Sequence, residues 1–303
     1  MSNSLSDLSR DLSSAVQRAS ASVVTVHGRP RIPSSGIVWR DGLVLTADAA
    51  LRRDEEVSIT LPDGSRVAAT LKGRDASTDL ALLACETGSA TPAAFAASAP
   101  ILGQIVLALG RTADTGPIAT MGIVSGSSGE WKTWRGGKLD QFVRLDISVY
   151  PTTVGGAVVD AEGATVGIVA AGLSRSSVLA ITRPTIERVA EALLTKGRIA
   201  RGYLGIGLQP VALPETLKHQ FNLAQDTAIM ALSVGPNSPS AQAGIVMGDV
   251  LLSLNNITLT GPEALHAALD PSSVGKQMPI TILRGGTLQH LSVVVAERPG
   301  KGV

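Results

Sequence analysis

The chain has 303 residues, a formal net charge of +1 and a composition that is 44% hydrophobic but 3% aromatic. That length predicts about two domains with sizeable cores, and the near-neutral charge argues against nucleic acid as an obligatory partner and against a disordered polyelectrolyte. The single cysteine, Cys85, excludes an intrachain disulfide, and neither a histidine pair nor a cysteine-rich cluster stands at ligand spacing, so no metal and no cofactor are expected.

Leu5, Leu8, Leu12, Val16 and Ala19 recur at helical spacing, and Ser4 with Asp7 resembles a capping pair. These predict an amphipathic helix over residues 1–20. The same stretch lacks a basic start followed by an apolar run, and no later segment reaches the roughly eighteen apolar residues of a membrane span, so a cytoplasmic protein with no membrane partner is expected. From "SVVTVHG" to "LAITRP" short β-branched segments alternate with "RDG", "LPDGS" and "DAEG" turns. That rhythm predicts an antiparallel barrel or sandwich. Cys85, in "DLALLACE", reads as a thiol packed in a buried strand.

A helix is predicted after Arg183, with Pro184 in its first turn, Ile186, Val189, Ala190, Leu193 and Leu194 on one face, and Gly197 as its stop. The domain boundary falls at 197–201, giving a first domain over 21–197 and a second over 198–303. In the second, strands are predicted at "YLGIGL", "AIMALSV", "DVLLSLNN", "MPITILRGG" and "LQHLSVVVAE", with a helix at "GPEALHAALD".

Taken together, "SSGIVWRDGLVLTADAAL", "LPDGSRVAATLKGRDASTDLALL", "LGQIVLALGR", "TMGIVSG", "RGYLGIGLQP" and "SVGPNSPSAQAGIVMGDVLLSLNN" resemble the HtrA/Deg family over nearly the whole chain. The resemblance implies a mainly β fold: a trypsin-like double antiparallel β-barrel followed by a PDZ domain. It also implies where a Ser-His-Asp triad would stand. The aspartate falls on Asp79; the histidine of T-x-x-H-V falls on Ala49; the serine of G-x-S-G-G falls on Val154, preceded by Thr152 and Thr153 in the oxyanion loop.

An alanine takes no proton and a valine carries no nucleophile, so the triad relay is broken at two of three positions. The expectation is therefore a pseudoprotease and not an enzyme. If position 152 needs positive φ, its threonine is costly, and the loop is expected to have relaxed. Thr152 and Thr153 are weighed as substitute nucleophiles, but His27, His219, His266 and His290 lie outside the segment that would supply a base. Asp79 is read as structural, accepting bonds from amides or from hydroxyls such as Thr46. "EWKTWRGGK" is a loop whose Trp131 and Trp134 serve either recognition or packing.

The PDZ resemblance implies peptide binding by strand addition, with Tyr203, Leu204, Gly205 and Ile206 forming the carboxylate loop and pairing strand, and Leu265 and Leu269 walling the pocket. The expected function is a scaffold or regulator that binds peptides or proteins with apolar C-termini, in protein quality control. Two alternatives stand beside it: a weak or unconventional serine-type endopeptidase, and an inactive subunit that modulates an active relative. The resemblance further implies a homo-oligomer, a trimer, or a hetero-assembly with an active relative; the N-terminal helix either helps form the trimer or packs on its own domain.

Overall fold

The computed structural model describes residues 4–52, 56–174 and 177–298. Residues 1–3 of the predicted N-terminal segment and 299–303 of the predicted PDZ span lie outside them. The chain forms two compact units, Met1–Ile199 and Ala200–Val303.

In the first unit α1 (Ser4–Ala19) precedes β1 (Val23–His27), β2 (Ser34–Arg40), β3 (Leu43–Thr46), β4 (Val57–Thr60), β5 (Arg66–Asp75) and β6 (Leu80–Ala84). These six strands close into an antiparallel barrel in the order β1-β2-β3-β6-β5-β4. The run "LALL" is apolar without alternation because β6 is covered on both faces. Leu80 and Leu82 enter the core shared between the barrels, while Ala81 and Leu83 fill the barrel's own interior. Period-2 geometry sends neighbours to opposite faces, and here both faces are dry. Cys85 follows β6 and is half-buried, so it is not the fully packed strand thiol expected from sequence.

The second barrel takes β7 (Ile105–Thr112), β8 (Gly116–Ser128), β11 (Phe142–Asp146), β12 (Ala157–Val159), β13 (Thr165–Ala170) and β14 (Val178–Ile181), in the order β11-β14-β13-β12-β7-β8. A small hairpin, β9 (Trp131–Lys132) with β10 (Lys138–Leu139), interrupts it after β8. Leu107 and Leu109 join the shared core, whereas Val106 and Ala108 face the second barrel's interior. Helix α2 (Arg183–Lys196) buries Ile186, Val189, Ala190 and Leu193, but Leu194 lies exposed at the margin of the predicted face. In α1 the apolar stripe is used in its second half: Ala15 and Ala19 are buried and Leu12 and Val16 pack beside them, whereas Leu5 is 73% exposed and Leu8 is exposed as well.

The second unit contains β15 (Gly202–Tyr203), β16 (Ile206–Ala212), α3 (Glu215–Phe221), β17 (Thr227–Val234), α4 (Pro239–Gln242), β18 (Val250–Leu254), β19 (Ile257–Thr258), α5 (Pro262–Ala268), β20 (Gln277–Arg284), β21 (Thr287–Val294) and β22 (Ala296–Glu297). Its sheet runs β16-β17-β18-β20-β21, with β19 beside β18 and a separate β15-β22 pair. Strand β16 is therefore an edge, and its neighbour on the inner side is β17. The expected mainly β architecture, two six-stranded barrels followed by a PDZ fold, is the one observed.

Candidate catalytic and peptide-binding sites

Asp79 follows directly on a short turn after β5 and is 2% exposed, with φ +55°. Its Oδ1 accepts the Ala49 N–H at 2.8 Å and its Oδ2 accepts the Gly172 N–H at 3.1 Å; its carbonyl accepts the Asp48 N–H. Burial pushes the carboxyl up to about 6; the two amide bonds and Arg135 act in the opposite sense. Thr46, proposed from sequence as a hydroxyl partner, instead donates to the Ser35 carbonyl at 2.6 Å.

The turn bearing Ala49 is held from its other side by cations. The Arg74 guanidinium pairs with the Asp48 carboxylate and donates to the carbonyls of Asp48 and Leu51, each at 3.0 Å, and Arg29 donates to the Ala49 carbonyl. The Ala49 residue itself is exposed. Val154 is 6% exposed and packs with Ala47, Ala50 and Val149. The three positions that the resemblance assigns to a triad are thus brought to one place. An aspartate there binds backbone, a methyl faces solvent, and a valine fills an apolar niche.

The loop before Val154 is a closed turn. Thr153 is fully buried; its N–H and Oγ1 both donate to the Tyr150 carbonyl, at 2.9 and 2.8 Å, and its Oγ1 accepts the Tyr150 N–H at 3.1 Å. Ser35 clamps the strand from below, its Oγ donating to the Thr152 carbonyl at 2.6 Å and its N–H to the Val154 carbonyl at 3.0 Å. Neither threonine is among the described residues with positive φ, so the condition under which Thr152 would be costly is not met here. The left-handed residue is Gly155, at φ +82°, where a Cβ would stand 2.4 Å from Thr46 Oγ1. As a substitute nucleophile Thr153 is already committed to Tyr150. His27, the one histidine of the first unit, bonds Thr60 Oγ1 at 2.9 Å. Beside the turn lies an open apolar hollow of about 590 Å³ lined by Ile32, Ile118, Ala119, Tyr150 and Pro151.

The "EWKTWRGGK" stretch is the β9–β10 hairpin. Trp131 packs on Phe142 with ring centroids 5.2 Å apart, whereas Trp134 is 57% exposed beneath the Arg135 guanidinium. Thr133 Oγ1 donates to the Ser77 carbonyl at 2.8 Å and Arg135 to the Ala76 carbonyl at 3.0 Å. The hairpin therefore braces the segment that leads into Asp79, a role that sequence spacing did not show.

In the second unit, Tyr203, Leu204, Gly205 and Ile206 enter the edge strand β16. The Leu204 carbonyl accepts the Ser240 N–H at 3.0 Å and the Gly205 carbonyl accepts the Gly235 N–H at 2.8 Å. In a trans peptide unit the carbonyl and the following N–H point in opposite directions. Anchoring these two carbonyls on the protein side therefore turns the N–H groups of Gly205 and Ile206 away from it. Gly205 takes φ +71°, and a Cβ there would lie 2.3 Å from Ser238 Cβ. Leu204, Leu265 and Leu269 are core residues; the half-buried apolar groups beside the edge are Ile206, Leu208 and Ala264. Leu265 and Leu269, expected from sequence to wall a pocket, are thus part of the core of this unit. His266, weighed from sequence only as a base, stands on α5, where partial burial, Arg298 and Arg201 disfavour its proton.

Among the described residues no group of His, Cys, Asp and Glu is arranged to hold a metal, and no helix is long and apolar enough to cross a membrane.

Comparison with known proteins follows the same division. The family model of the trypsin-like peptidase domain matches residues 34–168, and that of the PDZ domain matches 230–284. The chain is 29% identical over 282 residues to a probable periplasmic serine endoprotease, DegP-like, of Brucella suis, covering 90% of this chain and 54% of the relative. It is 27% identical over 313 residues to the serine endoprotease DegS of Haemophilus influenzae, covering 94% and 87%. The crystal structure of the serine endoprotease from Yersinia pestis superposes with a TM-score of 0.71 at 27% identity, over 95% of this chain and 98% of that one. The chain spans about half the length of the DegP-like curated relatives it matches. These relatives correct the expectation that the chain is not an enzyme: proteins similar to it over most of its length are serine endoproteases, and the likeness points to an enzyme. What residues 49 and 154 contribute is a constraint on mechanism, since neither side chain can act as base or nucleophile. By sequence and by fold the chain is HtrA/DegS-like, a trypsin-like peptidase domain of two six-stranded barrels followed by a PDZ domain.

Proposed function

We propose that this chain binds the C-termini of peptides or proteins through its second unit and acts as a scaffold or regulator in protein quality control. The observation that carries the reading is the edge of β16: two successive N–H groups, on Gly205 and Ile206, are turned outward by carbonyls anchored at Ser240 and Gly235. Such a pair suits a carboxylate, and the free edge suits strand addition. Half-buried Ile206, Leu208 and Ala264 favour an apolar terminal side chain. Exposed Leu5 and Leu8 on α1 support assembly, as a trimer of this chain or with an active relative. Titration of the whole chain with a peptide ending in an apolar residue, as free acid and as amide, tests the binding. The acid should bind at least tenfold more tightly; equal affinities would remove the proposal.

A second reading, endopeptidase activity, is favoured by the names of the relatives. In this chain hydrolysis would have to proceed without an imidazole at 49 or a hydroxyl at 154. Turnover of a casein-type substrate, followed by its response to Asp79→Ala, tests that route.

A further inference from the structure

The first turn of α2 holds an unassigned cavity of mixed lining. It has a volume of about 140 Å³ and is lined by Thr182, Arg183 and Pro184 of the helix start, Ser98 of the segment joining the barrels, Gln141, and Thr165 at the head of β13, with alanine, proline and valine side chains between them. Thr182 is the N-cap residue, 2% exposed, yet its Oγ1 makes no capping bond and is a buried oxygen with no hydrogen-bond partner among the described residues. A buried hydroxyl without a partner is costly and calls for a ligand.

The helix start adds further donors. The first bond within the helix runs from the Ile186 N–H to the Thr182 carbonyl at 3.1 Å. Arg183 and Thr185 therefore have N–H groups with no acceptor inside the helix, and Pro184 has none to offer. With Thr182 Oγ1–H these make three neutral donors at the positive end of a helix of 14 residues, and of the three residues Thr182 and Arg183 line the cavity. No acidic side chain lines the cavity. Asp140, which accepts from Thr185 Oγ1, is itself paired with Arg188 at 2.8 Å, so its charge is compensated.

We propose that this cavity binds a small oxyanion, of carboxylate or phosphate type, held by Thr182 Oγ1 and the amide of Arg183. The space takes several waters and is therefore large enough for such an ion. An occupant would join the inter-barrel segment, β13 and α2 at one point. The site belongs to the first unit and is independent of peptide capture by the second.

The test uses the full chain titrated with sodium acetate and, separately, with sodium phosphate, each against chloride of matched ionic strength. At tenfold excess over Kd the melting temperature should rise by about 3–6 °C above the chloride control. The amide resonance of Arg183 should shift saturably with the same Kd. Thr182→Val should abolish the response, and Thr182→Ser, which keeps the hydroxyl, should retain it. If Thr182→Val fails to fold, the amide shifts of the wild type and the serine variant decide. A response equal to that of chloride, or an unmoved amide, would mean that the cavity holds water and would overturn the proposal. A wild-type response in Thr182→Val would overturn it too. A response to acetate alone identifies a carboxylate site, and one to phosphate alone a phosphate site.

Discussion

The Asp79 carboxylate accepts the N–H of Ala49 at 2.8 Å, so the acid of the candidate site grips the backbone of the residue where a histidine would stand. Its second oxygen grips Gly172, which joins the two barrels' loops through one buried charge. That charge is costly: burial raises the carboxyl from 3.8 to about 6. Because the native state binds the proton more tightly than the unfolded chain, stability from this group is complete below about pH 3.8 and is lost as pH rises through about 6. Asp79→Asn cannot titrate. The difference in unfolding free energy between wild type and variant should therefore fall by on the order of 1–3 kcal/mol across that window. Urea unfolding at half-unit steps from pH 4 to 7.5 measures it; parallel curves would show that Asp79 is not the titrating group.

Val154 and Ala49 differ in what they give the fold, and substitution should separate them. Val154→Ser exchanges a buried valine packed on Ala47 and Ala50 for a hydroxyl, and should destabilise the first unit by about 1–2 kcal/mol. Ala49→His adds to an exposed position and should change stability by less than about 0.5 kcal/mol. Calorimetry of both variants checks the ranking, and a stabilising Val154→Ser would contradict it.

The turn before Val154 limits what those two substitutions restore. With Thr153 bonded three ways to Tyr150, the 152–154 amides are set by that turn and not by a substrate oxyanion. Adding Thr152→Gly to Ala49→His and Val154→Ser should raise kcat/KM on a casein-type substrate by at least about tenfold over the double variant. One well-aimed oxyanion donor is worth roughly 10²–10³. Equal activity of the double and triple variants would place the obstacle elsewhere.

The barrels were legible because turn chemistry and apolar runs are local: the "RDG" and "LPDGS" turns separate strands whose neighbours alternate between two dry cores. α2 was legible from Pro184, its periodic face and Gly197. What escaped was set by partners distant in sequence. Leu194 falls on the predicted apolar face, yet nothing covers that margin; Thr182 reads as an ordinary cap until the cavity at its hydroxyl is seen. That the loop before Val154 departs from a glycine shape could be expected from Thr152, but the turn that replaces it, closed by Thr153 on Tyr150, could not be read from spacing.

Exposed Leu5 and Leu8 stand one turn apart on the free half of α1, while Ala15 and Ala19 fix its other half. Leu5→Glu with Leu8→Glu should leave the melting temperature within about 2 °C, because neither side chain is packed within the chain. If α1 serves assembly, the same pair should lower the mass seen by light scattering to that of a single chain. An unchanged assembly would assign the stripe no role in it.

The edge of β16 makes the most specific demand of a ligand. Gly205 can take its left-handed conformation without strain, but Gly205→Ala would add a Cβ 2.3 Å from Ser238 Cβ at φ +71°. The loop must then move, and the N–H groups of Gly205 and Ile206 lose their common direction. Affinity for a free C-terminal peptide should drop at least about tenfold, with a loss of roughly 1–2 kcal/mol in stability of the second unit. Farther along, Pro210 lacks an N–H, so strand addition cannot use a donor there. Peptides shortened from their N-terminus should keep their affinity until the residues opposite Ile206–Gln209 are removed, and then lose it steeply. Calorimetric titration of a truncation series against wild type and Gly205→Ala reads both effects. Affinity that falls evenly with every residue removed, or that survives Gly205→Ala, would show that the peptide is held elsewhere than along this edge.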